Sequence, residues 1–241
     1  YAGKVVKISG IIHKIREMSG FAFVILRTRR ELLQCVYTAD RARFGLNTVV
    51  EGCAVIVEGE VVLDSRVTNG AEVHIVNIEV LSKPAEGLPI VINKKKLDIS
   101  LDTNLPYRPI SLRNPHERAI FKVQEGIARG FREYLLKQNF TEIRTPKIVF
   151  AGAEGGANIF KLDYFGKQVY LAQSPQFYKQ TMVGVFERVF EVAPVYRAEK
   201  HNTSRHLNEY VSLDFEMGFI NEFTEIMQME TGVLKYVFYL L

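Results

Sequence analysis

Three polar segments carry more reactive side chains than a fold alone requires. RAEKHNTSRHLNEY at 197–210 concentrates Arg197, Glu199, Lys200, His201, Arg205, His206 and Glu209 in one loop between two strand-like runs. Alternation along an extended chain puts Val195, Arg197 and Glu199 on one face, so an arginine fork and a carboxylate would project from the same surface. The fork matches phosphate oxygens, and the carboxylate can accept from an exocyclic amine or hold the guanidinium. A surface hairpin dressed with ion pairs would have the same composition. LAQSPQFYKQ at 171–180 crowds Gln173, Ser174, Gln176, Lys179 and Gln180 around Pro175, where one N-cap would suffice to start a helix. AGAEGGANIF at 151–160 surrounds Glu154 with Gly152, Gly155 and Gly156. It has neither GxGxxG nor a P-loop lysine, and fits a lid that carries a single acid.

Elements must position these groups. From residue 4 to about 82 the pattern is short strands rich in Val and Ile: Val5 to His13, Phe21 to Leu26, Leu32 to Tyr37, Ala54 to Val62 and Glu72 to Leu81. Asp40 to Asn47 reads as a short helix between the third and fourth. That order is the order of the five-stranded oligonucleotide-binding barrel, the OB-fold. The basic run Arg27, Arg29 and Arg30 follows the second strand. Residues 84–114 are punctuated by Pro84, Gly87, Pro89, Pro106 and Pro109 and read as an ordered linker, with Lys94 to Lys96 a solvated run or a nucleic-acid contact. Asn114-Pro115 with Glu117 predicts a capping box. The helix that follows carries an apolar stripe of Ile120, Val123, Ile127, Phe131 and Leu135, ending near Asn139. Extended segments follow at Phe140 to Thr145, Val169 to Ala172, Val189 to Tyr196 and Val211 to Phe219, then a helix from Phe223 to Leu241. The fold class is α+β: a barrel, then an antiparallel sheet flanked by helices.

Composition bounds the class. The 241 residues are 47% hydrophobic and 24% charged, enough to bury a core, and no apolar run approaches the ~18 residues that cross a bilayer. Cys35 and Cys53 lie in apolar surroundings, which argues against a disulfide scaffold and suits a reducing cytoplasm. A net charge of +4 is too small to establish a polyanion partner by itself.

Taken together, the segments resemble the class II aminoacyl-tRNA synthetases, and among them the aspartyl-tRNA synthetases of the archaeal and eukaryotic type. FTEIRTP at 140–146 is similar to motif 1, which builds the dimer interface in that family. FERVFEVAPVYRAE at 186–199, with RHLNEY and LDFEM beyond it, is similar to motif 2. AEGGAN resembles the loop that closes on the amino acid, and QSPQFYKQ the substrate-pocket signature. The likeness implies an anticodon-binding domain at 1–83, a hinge at 84–114 and the N-terminal part of a catalytic domain at 115–241.

The resemblance implies activation of L-aspartate by ATP and transfer to the 3′ end of tRNA(Asp), relaxed relatives also charging tRNA(Asn). Arg197 would bridge the α-phosphate and the substrate α-carboxylate, and Glu199 and Tyr210 would take the adenine. Arg205 and His206, beside Leu207, would reach the outer phosphates. Lys179 would neutralise the aspartate side chain, with Gln176 and Ser174 beside it, and Asp214 and Glu154 would receive its ammonium. Asparaginyl-tRNA synthetases lack SPQxxK, since an amide gives a buried ammonium nothing to pair with.

At the anticodon the likeness places Phe23, Gln34 and Glu72, with Arg27 nearby. Alternation alone leaves Phe23 free to be barrel core instead. His13 stands where strict relatives can carry Trp and relaxed ones His, a hint of relaxed tRNA choice, although a partly exposed strand histidine reads the same. A homodimer through motif 1 and no membrane partner are implied. The family's motif 3 and the acids that hold Mg2+ are not found, so the metal's ligands are expected downstream and none in this chain. With no initiator Met, the expectation is a partial gene product that would aggregate or act poorly in isolation. The rival readings are a non-catalytic tRNA-binding paralogue and an ammonia-dependent asparagine synthetase, which would not need the barrel.

Overall fold

In the computed structural model, which describes residues 2–152, 158–201, 203 and 206–241, Ala22, Val24 and Leu26 turn inward with at most 1% exposure while Phe21, Phe23, Ile25 and Arg27 line the other face. That alternation belongs to the second strand of a closed barrel. β1 (Val5–Glu17), β2 (Phe21–Arg27), β3 (Leu32–Thr38), β4 (Ala54–Leu63) and β5 (Ala71–Ser82) close in the order β1-β2-β3-β5-β4. β3 and β5 pair in parallel and the other pairs are antiparallel. Closure leaves no long unpaired edge. Ile12, Val24, Leu26, Val55, Val57 and Ile75 fill the interior, each contributing about 1.5–3 kcal/mol through burial. Cys35 and Cys53 are free and buried. Burial, with Glu72 nearby, pushes the Cys35 thiol up to about 12, so it packs and does not react.

The barrel register slips at three places, the least consequential between Ala54 and Val55 at the start of β4. The β1–β2 register slips between Ile12 and Lys14, leaving His13 as the extra residue of a bulge. A bulge re-aims a side chain, and His13 is 4% exposed. A second slip falls at Glu58/Gly59 against β5. A Cβ at Gly59 would press on the His74 carbonyl oxygen and come within 2.6 Å of Val73 Cγ1.

The helix expected at 40–47 does not form. The segment is turns and a single 3-10 turn, Leu46–Thr48. Gly45 weakens a helix there by about 1 kcal/mol relative to Ala, and eight residues without an apolar stripe are too few to nucleate one. Phe44 packs instead on Tyr37, ring to ring at 5.3 Å.

The connecting stretch holds two short helices that its weak periodicity did not announce, α1 (Leu101–Asn104) and α2 (Arg108–Ser111). Asn114 is fully buried. Its Nδ2 donates to the carbonyls of Ile92 and Lys94, and its Oδ1 accepts from the N–H groups of His116 and Glu117 at the start of α3 (Pro115–Lys137). The capping box is only half formed. Arg108 takes the Glu117 carboxylate at 2.8 Å, and the Asn114 N–H donates to the Ser111 carbonyl. The chain divides into two compact units, Tyr1–Ala119 and Ile120–Leu241.

The second unit comprises most of α3, then β6 (Thr141–Glu142), β7 (Ile148–Val149), β8 (Lys161–Tyr164), β9 (Lys167–Leu171), α4 (Gln176–Phe186), β10 (Arg188–Tyr196), β11 (Glu209–Met217) and α5 (Thr224–Leu240). β10 and β11 pair antiparallel over nine residues, but β6 joins β10 in parallel, so this sheet is mixed. β7, β9 and β8 form a second, antiparallel sheet. Phe131, Leu135, Phe140, Phe190, Met217, Val233 and Val237 form the core. Only part of the expected α3 stripe is buried: Phe131 and Leu135 lie in the core with Ile127 against it, while Ile120 and Val123 stay about half exposed. Gly130 lets α5 approach, with Val237 Cγ2 3.0 Å from where a Cβ would stand.

Gly59→Ala is expected to destabilise the protein by about 1–3 kcal/mol, because the obstructing atoms include backbone. Urea unfolding followed on the barrel would check this; an unchanged midpoint would mean that β5 yields freely at the bulge.

Candidate functional site

The register of β10 and β11 sorts their side chains. Phe190 pairs with Phe215 and Val192 with Leu213, and Phe190, Val192 and Phe215 belong to the core side. Directly opposed residues share a face. The other face therefore carries Tyr210 beside Val195, Ser212 beside Ala193, Asp214 beside Glu191 and Glu216 beside Val189. The Arg197 N–H donates to the Asn208 carbonyl, extending the ladder past Tyr196.

α4 packs against both strands and brings Lys179 to this face. The ammonium, 6% exposed at its side chain, lies 3.2 Å from Asp214 Oδ1 and 3.4 Å from Glu216 Oε2. Gln176 Nε2 reaches both Glu216 oxygens at 3.4–3.5 Å, and the Gln176 N–H donates to Ser174 Oγ, which serves the first turn after Pro175. Four anticipated residues, Ser174, Gln176, Lys179 and Asp214, thus form one connected group. Glu216 was not anticipated. Its signal was present, since it stands two residues beyond Asp214 on a strand and so shares its face. One ammonium between two carboxylates can exchange partners: it can turn to an incoming carboxylate while the acids take an incoming ammonium.

Glu191, 2% exposed, sits opposite Asp214 but is fully committed elsewhere. It accepts from the Thr145 N–H, from Thr145 Oγ1 and from Lys147 Nζ at 2.7–2.8 Å. These bonds tie the segment between β6 and β7 to β10.

Arg197, Glu199, His206, Leu207 and Tyr210 line an open concavity of about 310 Å³ at the end of the β10–β11 pair. The His206 ring lies 5.2 Å from that of His201, with Nδ1 2.6 Å from Thr203 Oγ1. A cation, a carboxylate, an imidazole and a phenol around one hollow suit a flat, polar-edged ring attached to an anionic group. Glu154 and Arg205, also anticipated, lie outside the described residues. Among the described residues no three of His, Cys, Asp and Glu converge as a metal-ligand set.

On the barrel, Phe23 is not core. It faces outward and meets Phe21 edge-on at 5.2 Å. On the same face Gln34 Nε2 donates to Glu72 Oε2 at 2.8 Å. Glu72 Oε1 meets His74 Nε2 at 2.9 Å, and Arg41 links the His74 ring to Glu60. An aromatic ring beside a buried carboxylate and an amide can stack a base and read its edge. His74 and Arg41 were not anticipated. Arg27 does not join this ladder. Its Nε has no hydrogen-bond partner among the described residues, and burial, then Arg113 and Arg118, hold its pKa below the usual guanidinium value. His13, expected to be partly exposed under the plainer reading, is buried with Nδ1 unpartnered.

Known proteins resemble this chain in sequence and fold. The model of class II tRNA synthetases (D, K and N) matches residues 100–241, and that of an OB-fold nucleic acid binding domain matches residues 6–81. The aspartate–tRNA(Asp/Asn) ligase of Thermus thermophilus is 48% identical over 234 residues, 97% of this chain and 54% of the relative. That of Deinococcus radiodurans is 47% identical over 97% of this chain and 52% of its own. Asparaginyl-tRNA synthetase from Pyrococcus horikoshii, solved with asparaginyl-adenylate, superposes with a TM-score of 0.86 at 33% identity, covering 98% of this chain and 54% of that one. The chain spans about half the length of the curated relatives it matches.

Two outcomes follow from the geometry. Asp214→Asn with Glu216→Gln strands the Lys179 ammonium and should cost about 3–5 kcal/mol, whereas either change alone should cost about 1 kcal/mol, a non-additivity that a urea-unfolding cycle would reveal. Burial, then Arg27 and Lys14, lower the His13 pKa from 6.5 against the upward pull of Glu51. Above pH 6.5 His13 then adds no slope. Between 6.5 and its lower folded value the unfolded chain binds the proton first, so stability should decline as pH falls and level off below that window. His13→Asn should remove this component of the pH profile of the urea midpoint.

Proposed function

Because the chain belongs to the class II tRNA synthetases of the D, K and N group, we propose that it supplies the RNA-reading barrel and part of the active site of an aspartate–tRNA ligase. The observation that carries the choice of amino acid is the Lys179 ammonium, held at low exposure on the face that also presents Asp214. An incoming aspartate brings one carboxylate for Lys179, one for Arg197, and an ammonium for Asp214 and Glu154. Asparagine would offer Lys179 an amide in place of a carboxylate, so the ammonium would keep Glu216 but gain no charge-assisted bond to the substrate side chain. Fold likeness does not separate the two amino acids, since an asparaginyl enzyme superposes well; the local charge supports aspartate.

In the first step the aspartate α-carboxylate attacks the α-phosphorus of ATP in line and pyrophosphate leaves. Arg197 draws the two anionic groups together and takes up charge on the α-phosphate oxygens. Glu199 accepts from the adenine amine, Tyr210 and Leu207 flank the base, and His206 with Arg205 meets the outer phosphates. In the second step a hydroxyl of the tRNA terminal adenosine attacks the aspartyl carbonyl and AMP departs. Gln176 and Ser174 keep Lys179 and Glu216 in place throughout. Mg2+ bound by residues other than those described would add charge neutralisation at the phosphates.

The outward face of the barrel reads the anticodon. Phe23 stacks on a base while Gln34 and Glu72 meet its polar edge, with Arg27 at the border of that face. The ligases of Thermus thermophilus and Deinococcus radiodurans are named for both tRNA(Asp) and tRNA(Asn). That supports the same double use here, with His13 the residue that relaxes the choice. Exposed Ile120, Phe121 and Val123 on α3 suit pairing of two copies through motif 1. No described helix is long and apolar enough to cross a membrane, and the cytoplasm is the proposed location.

ATP–pyrophosphate exchange on the complete gene product, with aspartate, asparagine and lysine in parallel, tests this. Exchange with aspartate alone is expected, Lys179→Leu lowering its kcat/KM by about 100-fold or more, with both tRNA(Asp) and tRNA(Asn) transcripts aspartylated. Exchange driven by asparagine or lysine, or none at all, would contradict the reading.

A further inference from the structure

A second cavity, of about 240 Å³, opens within the first unit beside the base-reading face, on the side of β2 that also carries Phe23, and shares no lining residue with the nucleotide hollow. Its polar lining is His13, Lys14, Arg16, Asn93, Lys94 and Lys95, over a floor of Ile25, Leu32 and Pro115. It is therefore built from the bulge of β1, from β2 and from the stretch that Asn114 fastens to α3. The volume admits a tetrahedral oxyanion with several waters, at about 30 Å³ each.

Charge and hydrogen bonding both leave this cavity unbalanced. Four cationic side chains border it, and Arg113 and Arg118 stand close enough to help hold the Arg27 pKa below its usual value. Arg118 spends its guanidinium on the carbonyls of Thr28, Arg29 and Arg30, which are neutral and cancel no charge. The one carboxylate acting on His13, Glu51, is already held by the Ile15 N–H at 3.2 Å and Asn93 Nδ2 at 2.9 Å. His13 itself is more than nine-tenths buried, with Nδ1 lacking a hydrogen-bond partner among the described residues, and lines the cavity from the bulge of β1. Native proteins leave few buried polar atoms unsatisfied, and such atoms mark strain, function or a missing ligand. With Glu51 the one acid set against four cations, the excess positive charge is held at a cost that a bound anion offsets.

We propose that this cavity binds a phosphate group, with Lys14, Arg16, Lys94 and Lys95 as the charged rim and the His13 ring as the buried polar wall. The phosphate could come from an RNA backbone or be free in solution. The first source rests on the tRNA reading above and places one backbone phosphate beside the base-reading face; the second does not.

Ring resonances of His13 in the full chain provide the readout. Inorganic phosphate, titrated against chloride at matched ionic strength, should shift them saturably and raise the His13 pKa, since a bound anion favours the imidazolium. Lys94→Ala combined with Lys95→Ala, two exposed positions whose loss should leave the circular dichroism spectrum intact, should weaken that response about 10-fold. In a second arm, binding of a tRNA transcript is measured against salt. For a backbone phosphate the double variant flattens the log–log slope by about 0.7–0.9 for each phosphate no longer neutralised; an unchanged slope with phosphate binding retained assigns the site to free phosphate. No His13 response to phosphate would overturn the proposal, whether or not the transcript binds, and normal transcript binding in that case would leave the synthetase reading standing.

Discussion

A single buried ammonium governs the second unit. Lys179 lies at low exposure with Asp214 and Glu216 facing it, and this pairing constrains much of the surrounding architecture. Asp214 and Glu216 must stand two apart on β11 to share a face, so that strand has to remain regular through both. α4 must begin where Ser174 and Pro175 start it, which sets the Lys179 side chain over the sheet one turn later. β10 must lie beneath with Phe190 turned to the core, and Glu191, on the site side, must be neutralised separately. Thr145 and Lys147 do this, so a third like charge does not compete for the ammonium.

The first unit obeys a different constraint, closure. A small barrel commits alternate residues inward, so every outward residue is available for recognition. Phe23, Gln34 and Glu72 therefore fall on one surface without further device. Departures from regularity occur where alternation would misplace a side chain. The bulge at His13 turns a polar ring into the wall between strand and connector, and the slip at Gly59 lets β5 press against β4. Asn114 is the counterpart in the connector: a buried amide that satisfies two carbonyls on one side and two helix N–H groups on the other.

Much of this was legible in the residues. Period-two runs of Val and Ile marked the five barrel strands to within a few residues, and the polar burden of SPQFYK and of the loop at 197–210 marked the residues that gather around Lys179 and around the hollow at Arg197. What could not be read depended on three-dimensional partners. Alternation gives two faces but no sign, so Phe23 could not be assigned outward before the barrel closed. Glu117 looked like half of a capping box, yet Arg108 offers it a charge-assisted bond that a backbone N–H does not match. β6 looked like a long extended run, but only two residues pair, in parallel, before Pro146. Glu216 and His74 escaped notice because each works through a neighbour, Lys179 and Glu72, and not through a motif.

The central claim is that Lys179, poised between Asp214 and Glu216, reads the charge of the amino-acid side chain. Calorimetric binding of non-hydrolysable aspartyl and asparaginyl sulfamoyl-adenosine analogues to the complete gene product, wild type and Lys179→Met, tests it most directly. The wild type should favour the aspartyl analogue by about 100-fold or more, and the variant should lose that preference while retaining affinity for the asparaginyl analogue. A preference that survives in Lys179→Met would place the discrimination elsewhere and contradict the account.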